Sequence, residues 1–262
     1  MPHGSAARRN SQYWIQHFQR NRKSRSFPWF DPYRLCASER LIVGPSLQQF
    51  QLGEGAQGRG LLRRAKAYAR HAGDLEFPAA MQMFIAEEQQ HSVELGRFLT
   101  QEGIPLLATH WVDTSFRGLR KLAGLEVCAC VLVSAELIAL PYYHAVHHAT
   151  QSPLLRALCR RILHDEAYHL EFQAATIARL RVRRTKTLRM VSSAIHNLFF
   201  VGTQIVVWFE HRRLFMRGGY TFRKYFAECQ RHFHHFNRRM EHALLELSVP
   251  APAAIPEGSA VV

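Results

Sequence analysis

Apolar residues recur along this chain at intervals of three and four, the spacing of one face of an α-helix. Phe77, Met81, Phe84, Glu88, His91, Leu95 and Phe98 alternate intervals of 4 and 3, so a carboxylate and an imidazole sit within an otherwise apolar stripe. The same spacing and the positions of Gly and Pro predict six long helices. The first runs from Ser46 to about His71. The second runs from near Glu76 to Gly103, with Pro78 in its first turn. The third spans about Arg117 to Thr150 with a bend at Pro141, and the fourth follows Ser152 to about Arg183. Two more cover Leu188 to Arg217 and Thr221 to Leu247. No useful stretch alternates with period two, so the expected class is all-α.

The fourth helix repeats the arrangement of the second. Leu155, Leu158, Ile162, Glu166, His169, Phe172 and Leu180 share a stripe, making Glu166 and His169 a second Glu-x-x-His beside Glu88 and His91. The first helix carries one glutamate among Leu47, Phe50, Glu54, Gly58, Leu61, Ala65 and Tyr68. The third carries one among Leu122, Leu125, Ala129, Leu132, Glu136 and Tyr143. Glu87 and Asp165 precede the stripe glutamates and lie about 100° around their helices, placed to orient the imidazoles from outside a ligand shell or to sit in solvent. Tyr143 and Tyr168 read as packing residues, with lining of a cavity beside the site as the alternative, and His144, His147 and His148 as a solvated helix end.

Four buried carboxylates repel one another and cost several kcal/mol each unless something positive sits among them. Two divalent irons would bring four positive charges, with the two imidazoles completing the ligands, as in a four-helix carboxylate di-metal bundle. Carboxylate-rich mixed O/N donors favour iron, with manganese as the alternative, over structural zinc.

On these residues, positions 44 to 183 resemble the ferritin-like di-iron carboxylate superfamily. The stretches concerned are "QFQLGEGAQGRG", "FIAEEQQH", "VSAELIALPYY" and "HDEAYH". The resemblance implies an antiparallel four-helix bundle with Glu54, Glu88, His91, Glu136, Glu166 and His169 as metal ligands, and a site that reacts with dioxygen or peroxide. Three departures narrow the range. There is no CxxC module of rubrerythrin type. Leu95 stands where the reductase subunit keeps its radical tyrosine, and Ile162 where arylamine oxygenases add a third histidine. The expected function is a di-iron oxidoreductase, an oxygenase acting on a small organic substrate with electrons from an external donor, since no GxGxxG fingerprint occurs. The alternatives are an iron-handling or peroxidase protein, an RNA- or membrane-surface-associated hydroxylase, and a bundle that has lost catalysis.

Charge locates the rest. The net +14 is concentrated in residues 1–40, with eight Lys/Arg against two acids, and 179–240, with fourteen against two, while 41–178 hold twelve against thirteen. The basic flanks suit a polyanion, RNA or an anionic membrane surface. The expected organisation is a basic extension over 1–43, the bundle over 44–183, two basic helices over 184–248 packed on it, and a disordered tail over 249–262, with a homodimer as a further expectation. Five cysteines (Cys36, Cys128, Cys130, Cys159 and Cys229) form no CxxC pair and read as reduced thiols. No signal peptide is legible, so a cytoplasmic setting is expected, with peripheral membrane attachment as its variant. Residues 190–209 hold twenty residues without Asp, Glu, Lys or Arg. That length could span a bilayer, but Ser192, Ser193, His196, Asn197, Thr203 and Gln204 favour a helix packed on the bundle, with a membrane-surface helix as the alternative.

Overall fold

The computed structural model describes residues 10–121 and 124–248; the expectations for residues 1–9, for Leu122 and for the tail 249–262 lie outside the described residues. Among those described there are nine helices and no strand: α1 Ser11–Lys23, α2 Ala37–Glu54, α3 Arg59–Ala72, α4 Phe77–Gln101, α5 Trp111–Lys121, α6 Leu125–Ala149, α7 Pro153–Arg181, α8 Lys186–Arg217 and α9 Phe222–Ser248. The all-α expectation holds.

Helices α2, α4, α7 and α6 touch in a closed ring, α2 against α4, α4 against α7, α7 against α6 and α6 against α2. Their facing stripes meet in the core, where Leu47, Leu95, Leu137 and Ile162 are all buried. Around the ring, α1 and α3 pack on α4, α8 on α6 and α2, and α9 on α7 and α6.

Several boundaries differ from the sequence expectation. The helix expected from Ser46 to His71 is two helices. Gly58 takes the left-handed conformation with φ +61 at the start of α3, and a Cβ there would meet Ile85 at 2.7 Å, so only glycine closes this turn. α2 begins at Ala37, nine residues early, and runs through Pro45. Its start is anchored by buried Glu39, which accepts from Cys36 N, Tyr33 Oη, Thr150 Oγ1 and Gln151 N and so ties α2 to the α6–α7 junction. These bonds outlast the desolvation cost and hold the Glu39 carboxyl down at about 2. The helix expected from Arg117 likewise divides into α5 and α6, with extended Gly124 preceding α6, and α6 continues through Pro141. Within the expected basic extension, α1 buries Trp14 and Phe18 against α4 and α7, with Trp14 edge-on to Phe172.

Candidate metal centre

Glu54 ends α2, Glu88 and His91 project from the middle of α4, Glu136 from α6, and Glu166 and His169 from α7. Because residues three apart share a helix face, each Glu-x-x-His aims both side chains into the ring. One ligand atom from each of Glu54, Glu88, His91 and Glu166 lies within 4.8 Å of all the others. His169 joins them: its Nδ1 is 2.6 Å from Glu88 Oε1 and 3.5 Å from Glu166 Oε2, while His91 Nδ1 is 3.8 Å from Glu166 Oε1. Glu136 is buried beside them, held loosely by Gln173 at 3.5 Å, and shares a cavity with Glu54, Glu88 and Glu166.

The outward nitrogens are fixed by a reciprocal exchange between α4 and α7. Asp165 of α7 takes His91 Nε2 at 3.0 Å, and Glu87 of α4 takes His169 Nε2 at 3.0 Å. This leaves Nδ1 of each ring facing the cluster, as a metal-binding imidazole with its second nitrogen on a carboxylate is arranged. Asn21 of α1 donates to both carboxylates, at 2.5 Å to Glu87 and 2.8 Å to Asp165. Arg25 bonds Asp165 at 2.6 Å and Glu94 at 2.7 Å, and Arg161 sits 3.1 Å from Asp165 and donates to Asn21 Oδ1 at 2.6 Å. Sequence reasoning missed Asn21, Arg25 and Arg161. Yet Trp14, Phe18 and Asn21 follow spacings of 4 and 3, a helical stripe that could have found Asn21. Tyr143, expected to pack or to line the cavity, donates its hydroxyl to Glu54 Oε1 at 2.8 Å. Tyr168 does pack, its ring against His17.

The inner atoms have no such partners. Glu88 Oε1, Glu136 Oε2, Glu166 Oε2, His91 Nδ1 and His169 Nδ1 are buried without a hydrogen bond; the 2.6 Å approach of His169 to Glu88 lacks hydrogen-bond alignment. Buried polar atoms are ordinarily satisfied, and neighbouring donors on one octahedral ion with bonds of about 2.1 Å stand roughly 3 Å apart. This donor set therefore fits a metal. Electrostatics agree. Burial, then the Glu88 and Glu166 charges, push Glu54 well above the usual carboxylate range. Glu136 is raised by burial and by Glu166 and Glu88, and Glu166 by burial and Glu88. Burial works against the charge of Glu88 too, but His169 and His91 outweigh it and hold that carboxyl at about 2. His169, against the desolvation that opposes its charge, is raised well above the usual imidazole value by Glu88, Glu166 and Glu87. Protons thus occupy the charge-balancing role a cation would take.

A cavity of about 140 Å³ opens on Glu54, Glu88, Glu136 and Glu166, walled by Phe50, Val131, Ile138, Ala139 and Val207. Its volume is close to the roughly 150 Å³ apolar cavity that accepts a benzene-sized guest. His211 of α8 lines it, with Nδ1 2.8 Å from Ser46 Oγ, which is 3.1 Å from Tyr142 Oη. Burial lowers His211 to about 3 and keeps the ring neutral. A second opening, of about 240 Å³ along the turn between α2 and α3, also reaches Glu54 and Glu88. Compared with known proteins, the chain matches no family model, no curated protein and no solved structure.

Proposed function

We propose that this chain is a di-iron oxidoreductase of ferritin-like architecture, acting as an oxygenase on a small, largely apolar substrate. One observation carries the reading: five donor atoms from α4, α6 and α7 are buried within the ring without hydrogen-bond partners, two of them on imidazoles locked from outside. Supporting the architecture, the contact ring α2, α4, α7, α6 sets each single-glutamate helix beside a Glu-x-x-His helix. Glu54, Glu88, His91, Glu136, Glu166 and His169 would hold the metals, with Glu88 and Glu166 both close to the two imidazoles. Manganese suits the same donors.

Iron bound there would supply activation of dioxygen or peroxide. The chain's own residues supply the setting. Glu87 and Asp165 hold the imidazoles in one tautomer and orientation. Tyr143 Oη donates to Glu54 and steadies it at the end of α2. Phe84, edge-on to His169 at 4.9 Å, and buried Phe172 exclude water on the α4–α7 side. The apolar cavity receives the substrate next to the carboxylates, and this wall favours oxygenation over iron handling. Electrons would come from a separate donor.

The test loads the protein with ferrous iron anaerobically, mixes it with oxygen and follows oxygen uptake and absorbance. A rapid optical transient with about two irons retained per chain is expected. Uptake no faster than that of free ferrous iron would refute the reading, and turnover of many irons per chain would assign it to iron handling instead.

A further inference from the structure

We propose that the outer face of α8 docks on an anionic membrane surface, lying in its plane. Leu188, Val191, Ile195, Leu198, Gly202, Ile205 and Phe209 follow one another at intervals of three and four, a single stripe. That stripe faces away from the fold: Leu198 is 76% exposed, and Ile195 and Phe209 are each 64% exposed. Among the described residues, two helices are long and apolar enough to cross a membrane. α6 is core, with 78% of its apolar window buried, but only 28% of the α8 window is buried. Contiguous apolar surface of this kind marks an interaction site on a soluble fold.

Charge identifies the occupant. No Asp, Glu, Lys or Arg lies between Met190 and Phe209, whereas Lys186 and Arg189 stand before that stretch and Arg212, Arg213 and Arg217 after it, with Arg223 and Lys224 following at the start of α9; the single acid among them, Glu210, is paired with His110. Anionic headgroups would neutralise both ends at once. A second copy of the chain would not. Antiparallel pairing about Gly202 sets the Arg189 end against Arg213 and Arg217, and parallel pairing sets Arg212 on Arg212, cation against cation in both cases.

The inner face rules out a spanning helix. Ser192 and Ser193 bond Arg181, His196 bonds Ser134, and His211 bonds Ser46, so crossing the bilayer would strip the helix from the fold. Thr203, Val207 and His211 on that inner face line the cavity. His110, 3.8 Å from Glu210, brings the segment of exposed Trp111 beside the Phe209 end, and tryptophan favours the headgroup boundary. Docking would therefore set the cavity wall against the bilayer, the position for an apolar substrate drawn from lipid.

The experiment is co-flotation of the full chain with phosphatidylcholine vesicles, with and without phosphatidylglycerol. Binding that requires phosphatidylglycerol and weakens with salt is expected. An Ile195→Glu, Leu198→Glu double variant should bind at least about tenfold more weakly, since two buried aliphatic side chains are lost. As a second readout, a polarity-sensitive fluorophore on Leu198→Cys, in a Cys36→Ser background, should shift to the blue on anionic vesicles. Absence of binding, binding indifferent to the double variant, or no shift of the fluorophore would overturn the proposal. So would a wild-type dimer that the double variant converts to a monomer, because the face would then belong to a second copy.

Discussion

Asp165→Asn separates support of the metal site from ordinary packing. The carboxylate is fully buried and meets His91 Nε2 at 3.0 Å, Asn21 at 2.8 Å, Arg25 at 2.6 Å and Arg161 at 3.1 Å. An asparagine of the same shape keeps one acceptor but turns an NH2 towards one of these donors and leaves two guanidinium groups short of a counter-charge. Breaking a buried pair of this kind costs about 3–5 kcal/mol. At about 2–4 °C per kcal/mol for a chain of this length, the apo protein should melt roughly 6–20 °C lower. Loss of the acceptor that orients His91 should also weaken metal binding by about 10- to 100-fold. The Asp165 carboxyl is held well below its ordinary 3.8 because His91 and Arg25 outweigh its desolvation. Its stabilisation is therefore complete above that value and fades only as pH falls toward the lower folded value, where variant and wild type converge.

Glu94→Gln is the control. It breaks the 2.7 Å pair with Arg25 while leaving the Asp165–His91 bond in place, so it should cost about 1.5–3 kcal/mol of stability with little change in metal affinity. Calorimetric unfolding of apo protein and competitive metal titration measure both quantities. Equal metal affinities for the two variants would refute the account of Asp165.

Three further outcomes are expected. Glu54, Glu136 and Glu166 are raised above their ordinary 4.5, and His169 above its ordinary 6.5, so these four groups hold more protons in the apo fold than in the unfolded chain, whereas buried His196 and His211, lowered to about 4 and about 3, hold fewer. The stability contributed by the four should fall as pH rises from about 5, while the extra stability from metal grows over the same range as ligands deprotonate; urea unfolding of both forms across pH measures that metal increment, and an increment independent of pH would contradict it. Glu88→Ala should abolish high-affinity metal binding, and so should Glu166→Ala, with apo Glu166→Ala at least as stable as wild type by thermal unfolding because a repelling carboxylate is gone. Gly58→Ala should destabilise by more than about 1–2 kcal/mol, since it adds the 2.7 Å clash with Ile85 to a left-handed backbone; equilibrium denaturation measures it.

The Glu/His cluster was legible because its signal is periodic. Two Glu-x-x-His pairs fall in phase with apolar stripes, and the structure brings Glu54, Glu88, His91 and Glu166 together as that phase implies. Helix continuity was less legible. The stripe Glu54, Gly58, Leu61 stays in phase across the turn that divides α2 from α3, so periodicity alone cannot see the break; the glycines at 53, 55, 58 and 60 were the signal. Asn21 and Arg25 were hidden by composition, because a basic N-terminus reads as a solvated arm until Trp14 and Phe18 are seen to be buried. The exposure of α8 could not be read at all. A stretch of uncharged residues looks the same whether its partner is protein or lipid, and only the packing of its inner face decides which side is left over.

The central claim, a paired metal site between α2, α4, α6 and α7, is tested most directly by anomalous diffraction at the iron edge from crystals of the iron-loaded protein. Two peaks about 3.5–4 Å apart are expected, one beside Glu54 and His91 and the other beside Glu136 and His169, with Glu88 and Glu166 between them. A single peak, or none among these six side chains, would contradict it.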